Sequence, residues 1–357
     1  MAPNRSDSDR SNSSRRTFLA TTGVAASAAL VGCLGQGEEG SGGTGPLTAD
    51  GSSTVYPITS DGASVWNSNP PADDEEYWGP SQYGIDTDKP MADYWAGLYG
   101  FEANDDGTPP LQVNVGLSHS GTGIEKVANG QVDIGDASSN VASELPDASE
   151  EELEKYTDHV VGRDGQPVVV SKEIYDAGVT ELNGDQVRGI YTGEITEWSQ
   201  IDKYDGPDKE IQAVGRAVGS GTDTAFRANM LGDPEAEMEV DVRQGQNQQV
   251  QTTVANSDNA IAYMALAFVD ENRVPAISLT LEGTTYTLGE NLGSEDYPLS
   301  RDLHCYTYEG TSEKEAAFLR MLLSEYGQQN FVAPNNYFKI PPAEREEQRS
   351  KLPEPSN

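Results

Sequence analysis

Three short turns of serine, threonine and glycine recur along this chain: Gly51-Ser52-Ser53-Thr54, Ser120-Gly121-Thr122-Gly123 and Gly219-Ser220-Gly221-Thr222. Each follows a strand-like run and leads into a stretch that reads as a helix start. Leu47-Thr48-Ala49-Asp50 runs into the first, Leu111 to Gly116 alternates ahead of the second, and Gln212-Ala213-Val214-Gly215-Arg216 precedes the third. A junction of this kind, repeated three times, points to α/β sheets whose ligands bind beyond the carboxyl ends of the strands. Small residues let backbone N–H groups approach a ligand, hydroxyls add neutral donors, and a helix N-terminus offers unsatisfied N–H groups with the positive end of its dipole. All three properties favour an anion. Arg216, four residues ahead of Ser220, adds a guanidinium able to clamp an oxyanion through two hydrogen bonds. Any one turn alone is an ordinary cap or loop; the three with the arginine predict a site for a tetrahedral oxyanion, with phosphate the first choice.

The chain's 357 residues suffice for two domains. Its 59 acidic and 23 basic residues give a formal charge of −36, a field in which no nucleic-acid patch survives. That field also repels an anionic ligand at long range, unless salt shortens it; at ~1 M the Debye length is about 3 Å. The carboxylates are spread along the chain, as on a surface suited to high salt. Apolar runs such as Pro167 to Val170 and Ile261 to Phe268 argue against a disordered acidic chain.

Ser14-Arg15-Arg16-Thr17-Phe18-Leu19 precedes an apolar run, Ala20 to Val31, too short to remain as a membrane span. The stretch is similar to a twin-arginine export signal, and Leu30-Val31-Gly32-Cys33 resembles a lipobox whose cleavage leaves a lipid on Cys33. Residues 1–32 are thus expected to be a signal and 33–46, rich in Gly, Ser and Glu, a flexible tether holding the domain to the outer face of the membrane. Without residues 1–32 there are 19 basic and 57 acidic residues. Cys305 is the other cysteine, so no internal disulfide is expected, and its strand-like surroundings mark it as a small core residue.

Between Asn67 and Pro110 the composition changes to acidic clusters and aromatics, including Tyr77, Trp78, Tyr83, Tyr94, Trp95, Tyr99 and Phe101. An insertion with some helix near Met91 to Leu98 is expected, serving as a packed cover in preference to a lid or docking surface. Val132 to Gly135 reads as a strand ending in Asp136-Ala137-Ser138-Ser139, a candidate fourth ligand loop. Further on are a strand at Val168–Ser171, a helix from Gly184, a strand at Ile261–Tyr263, a hairpin around Glu282-Gly283, a strand at His304–Tyr308, a helix from Ser312 to Tyr326 and an acidic tail.

With these turns in order, the chain resembles the phosphate-binding proteins of Pst-type ABC importers, of the type II periplasmic-binding-protein fold. The matching pieces are Asp50 to Pro57, Ser120 to Ile124, Asp133 to Ser139, Gly193 to Trp198, Gly215-Arg216 with Gly219 to Asp223, Ile261 to Tyr263 and Tyr297 to Arg301. The resemblance implies an α/β fold of two lobes, each a mixed sheet flanked by helices, joined by two crossovers that form a hinge. Lobe I would take 47–168 and 264–357, with the insertion at about 67–110, and lobe II 169–263. It further implies a ligand set of Ser53, Thr54, Val55, Ser120, Ser138, Ser139, Arg216, Ser220, Gly221 and Thr222, with inorganic phosphate as ligand, a membrane ABC permease as partner and a monomeric receptor. A proton acceptor that separates phosphate from sulfate is also implied. Asp136 and Asp223 are its candidates, because Ser138-Ser139 stand where the family often has an Asp, and Val218 where many members have an acidic residue.

A hydrolase needs an activated nucleophile or a metal. The three histidines, His119, His159 and His304, are scattered, no spacing suits a metal, and Gly219 to Thr222 lacks the lysine of a P-loop. His119, between Ser118 and Ser120, reads as a loop or cap residue. No catalytic residue, cofactor or metal is expected. Within the binding class, molybdate, tungstate and sulfate are the rivals of phosphate.

Overall fold

The computed structural model describes residues 45–294 and 296–356. The signal, most of the tether and Cys33 lie outside them. Twelve strands are present among the described residues: β1 Leu47–Gly51, β2 Val113–Val115, β3 Ile134–Ala137, β4 Tyr156–Gly165, β5 Val168–Val170, β6 Glu181–Asn183, β7 Gln212–Arg216, β8 Val242–Gln244, β9 Ala260–Tyr263, β10 Ser278–Leu281, β11 Thr284–Tyr286 and β12 Ser300–Tyr308.

They form three sheets. The first has the order β2-β1-β3-β12-β4, with β1 parallel to β2 and β3, and β12 antiparallel to β3 and β4. The second has the order β5-β9-β7-β8, with β9, β7 and β8 parallel and β5 antiparallel. Such mixed sheets bury both faces, which is why β3 and β9 are buried at every position instead of alternating. The third, β11-β10-β6, carries the expected hairpin; Glu282 and Gly283 adopt φ of 49° and 85°, as a two-residue turn of primed type requires.

The chain leaves the first sheet at Gly165 and enters the second at Val168, so Gln166-Pro167 is one crossover, and it returns between Tyr286 and Ser300. Residues 278–286 pair through β10 with β6, inside the stretch expected for lobe II.

The insertion contains a short helical turn, Pro80–Tyr83, and the helix Met91–Gly97. Its aromatics pack inward. Trp78, 1% exposed, lies 4.9 Å from the Tyr326 ring and 6.1 Å from Trp95. The helix expected over Ser312–Tyr326 instead runs over Glu313–Leu322 and restarts at Glu325–Gly327. Ser324 causes the break, since its hydroxyl donates to the Met321 carbonyl at 2.6 Å and accepts from Gly327 N at 3.1 Å, capping a new turn. The acidic tail holds the helix Pro342–Ser350, fixed by Arg345 to Glu325 at 2.6 Å and by Gln348 accepting from Val160 N at 3.1 Å.

Candidate functional site

The three turns meet at one place, at the carboxyl ends of the strands that precede them. β1 ends at Gly51, whose φ of +146° and neighbour Asp136, with its carbonyl 2.1 Å from where a Cβ would sit, leave room only for glycine. That tight passage, with Ser52 N donating to the Asp136 carbonyl at 2.8 Å, turns Ser52, Ser53 and Thr54 past the sheet and into the helix Tyr56–Ser68, with Val55 as its N-cap. β2 leads through His119, an N-cap, into the helix Ser120–Ala128. β3 delivers Ser138 and Ser139. From the second sheet, β7 ends in Arg216, and Ser220 caps the helix Gly221–Phe226.

Gly221 is the point on which the first-sheet hydroxyls converge. A Cβ there would lie 2.2 Å from Ser120 Oγ, 2.7 Å from Ser139 Oγ and 2.8 Å from Ser138 Oγ. Thr54 and Thr222 share a hydrogen bond of 3.0 Å across the same gap, and Arg216 Nη2 donates to Ser53 Oγ at 3.2 Å. Ser53, Thr54, Val55, Ser120, Ser138, Ser139, Arg216, Ser220, Gly221 and Thr222 are therefore brought together, all buried.

Three further residues join them. Arg301, on β12, donates through Nη1 to Ser138 Oγ at 3.4 Å and to the Gly221 carbonyl at 3.2 Å, and through Nη2 to Thr54 Oγ1 at 3.3 Å. Asn247 Nδ2 donates to Ser53 Oγ at 3.0 Å and Thr54 Oγ1 at 3.1 Å. Glu144 accepts from Ser139 Oγ. Arg301 ends the Tyr297–Arg301 segment, a signal that its place was special without showing what it faces. Asn247 and Glu144 carried no signal, being ordinary residues in polar stretches.

The charge balance favours an anion. Arg301 is neutralised by Asp164, 2.6 Å away and fully buried. Arg216, 1% exposed, has no carboxylate within 4 Å among the described residues; its guanidinium is held by Asn247 Oδ1 at 2.9 Å and the Gly245 carbonyl at 2.8 Å. Burial pulls Arg216 down to about 10, against the more distant Asp223 charge, leaving a cation at neutral pH with no carboxylate paired to it.

Neither candidate proton acceptor faces the hydroxyls, which corrects that expectation. Asp136 accepts from Thr59 Oγ1 at 2.8 Å and from Cys305 Sγ at 3.4 Å, behind β3, and burial pushes it up to about 7. Asp223 is spent on Arg227 at 2.8 Å, Arg243 at 3.3 Å and the Tyr263 hydroxyl. Alternation along β3 and the helical pitch after Ser220 turn both carboxyls away from the loops that carry them. Of the histidines, His159 bonds Thr311 at 2.9 Å and His304 bonds Asp158 at 2.8 Å, away from this place. His119 stands at its N-cap without a side-chain capping bond, its pKa lowered by burial and then by Arg216. No cluster of His, Cys, Asp and Glu among the described residues suits a metal.

Two sheets joined by two crossovers, with donors from both facing each other at the strand ends, is the geometry of a periplasmic binding protein, and residues 86–325 match the family model of the PBP superfamily domain. The chain belongs to the PBP superfamily. Among curated PBP relatives, it is 28% identical over 232 residues to the phosphate-binding protein PstS of Bacillus subtilis, covering 65% of this chain and 72% of that one. It is 26% identical over 346 residues to PstS of Staphylococcus saprophyticus, covering 94% and 93%. Among solved PBP structures, a substrate-binding protein from Clostridium perfringens with bound phosphate aligns at a TM-score of 0.61 and 23% identity, over 83% of this chain and all of that one. The resemblance to the binding proteins of Pst importers therefore extends from the motifs to the whole fold.

Proposed function

We propose that this protein is an exported receptor that captures inorganic phosphate between its two lobes and hands it to a membrane ABC permease. The observation that carries this reading is Arg216, a buried cation with no carboxylate paired to it, whose guanidinium reaches from the second sheet to the Ser53 hydroxyl of the first-sheet turn. A dehydrated tetrahedral anion supplies the missing charge, and the hydroxyls of Ser53, Thr54, Ser120, Ser138, Ser139, Ser220 and Thr222 supply neutral hydrogen bonds in place of its water. Because the donors belong to two lobes joined by two crossovers, ligand contact on both favours closure. The names of the PstS relatives support phosphate over other oxyanions.

The finer points belong to the same proposal. Residues 1–32 act as a twin-arginine signal, Cys33 carries the lipid, and the receptor works as a monomer on the outer face of the cytoplasmic membrane in high salt. Lobe I comprises 47–165 and 300–357, with lobe II between. An exported phosphatase is the weaker reading, since no histidine other than His119 stands near the hydroxyls, only Glu144 on Ser139 pairs a base with one of them, and no metal cluster is found among the described residues. Titration calorimetry at high salt with phosphate, sulfate and molybdate tests the assignment. Phosphate is expected to bind one to one, and Arg216→Ala to weaken it at least about 100-fold, the order lost when one partner of a buried charge pair is truncated. Ser220→Ala is expected to lose about tenfold. Absence of heat with phosphate, or preference for molybdate, would sink the phosphate assignment.

A further inference from the structure

A hydroxyl holds one proton and two lone pairs, so what occupies its lone pairs decides what it offers a ligand. Ser138 Oγ accepts from Ser52 Oγ at 3.0 Å and from Arg301 at 3.4 Å. Ser53 Oγ accepts from Arg216 at 3.2 Å and Asn247 at 3.0 Å. Ser120 Oγ accepts from Ser138 N at 3.1 Å. Ser53 keeps its own proton free to donate, and because Ser120 and Ser138 share one hydrogen bond at 3.5 Å, one of that pair does too. Ser139 is the reverse. Its hydroxyl, 2.7 Å from the Cβ position of Gly221 and so at the same convergence, gives its proton to Glu144 Oε1.

We propose that Glu144 is the positioning residue for selectivity: it takes the proton of Ser139, leaving that oxygen as the one acceptor in a ring of donors, matched to an anion that still carries a hydrogen. This rests on the phosphate reading above and supplies the acceptor that neither Asp136 nor Asp223 provides. Glu144 is built for the task. Besides Ser139, its carboxylate takes hydrogen bonds from Thr224 of the opposite lobe and from the Gly121 backbone. The Gly121 N–H can only donate and so holds Glu144 as an acceptor on that side, although burial first and then Asp223 raise its pKa above the ordinary carboxylate value. The arrangement keeps a full carboxylate one hydroxyl away from the ligand, so the anion meets a lone pair and not a charge. Phosphate with a P–OH donates to Ser139 Oγ. Sulfate has no proton to give, and two lone pairs then face each other without water between them.

The test is competition calorimetry of phosphate against sulfate on the full chain and on Glu144→Gln. Oε2 lies 3.1 Å from the Cβ position of Gly121, beside that residue's N–H, so the carbonyl of the glutamine stays there and its NH2 turns to Ser139. Ser139 then keeps its proton and becomes one more donor. The expected result is a fall of at least tenfold in the phosphate-to-sulfate affinity ratio, with sulfate binding more tightly than in the parent. Loss of both affinities by the same factor, the mark of a merely structural residue, overturns the proposal. Ser139→Ala, which removes the acceptor oxygen itself, must also lower the ratio, and it decides the matter if the glutamine variant does not fold. A parent protein that binds no phosphate overturns the function first and this inference with it; one that binds phosphate with an unchanged ratio in both variants overturns the inference alone.

Discussion

A carboxyl cut off from water titrates where its surroundings decide, and Asp136 is such a group. Burial, the largest influence, pushes it up to about 7 against the pull of Thr59 and Cys305. The folded chain therefore holds a proton that the unfolded chain releases near 3.8, so this group's contribution to stability is greatest in acid and declines as pH rises from about 4 to about 7. Asp136→Asn has nothing to titrate there. Compared with the parent, the variant should gain about 2–4 kcal/mol of relative stability between pH 4.5 and pH 8, since a tenfold change in proton affinity is worth about 1.4 kcal/mol; denaturant melts at several pH values measure it. A constant difference across that window would show that Asp136 is ionised in the fold. The same carboxyl shows what residue-level reading of a sequence reaches. It follows a legible strand and precedes a legible loop, yet whether its side chain faces ligand or core depends on Thr59 and Cys305, 77 and 169 residues away.

Elements tell a similar story at larger spacing. The strand-to-helix turns were legible because each is made locally, by a strand, a small-residue turn and a helix start within about a dozen residues. Arg301 and Asn247 were not assigned because they reach Thr54 from 247 and 193 residues further along, and nothing local marks that approach. β10 likewise finds β6 across almost a hundred residues. The aromatic insertion was legible as an element but not in what it covers, which is the helices that end the chain. Its keystone is Trp78, edge-on to Tyr326, beside Tyr94 and Trp95, with its indole N–H on the Lys89 carbonyl at 3.0 Å. Trp78→Ala should cost about 3–5 kcal/mol in denaturant unfolding and leave anion affinity within about twofold, because none of its partners touches the hydroxyl ring. A large loss of affinity would make the insertion part of the site.

For the molecule as a whole, charge sets the conditions of folding. With 59 acidic and 23 basic residues, self-repulsion opposes compaction. Raising KCl from 0.1 to 2 M shortens the Debye length from about 10 Å to about 3 Å or less. The melting temperature should climb by about 10 °C or more (on the order of 4 kcal/mol, from the usual slope); a flat profile in calorimetric scans would remove the high-salt reading. Screening should also speed phosphate capture, since long-range repulsion acts on the approach and not on the buried contacts.

Cys305 gives the molecule an internal clock. It is the one cysteine among the described residues, fully buried on an interior strand of the first sheet, and burial drives its thiol far above the pH range in which thiolates form. A water-soluble thiol reagent can reach it only when β12 separates from β3 or β4. The labelling rate therefore counts openings of that sheet, in native buffer and without denaturant, and because Arg301 sits on the same strand, any ligand gripped there must slow the count.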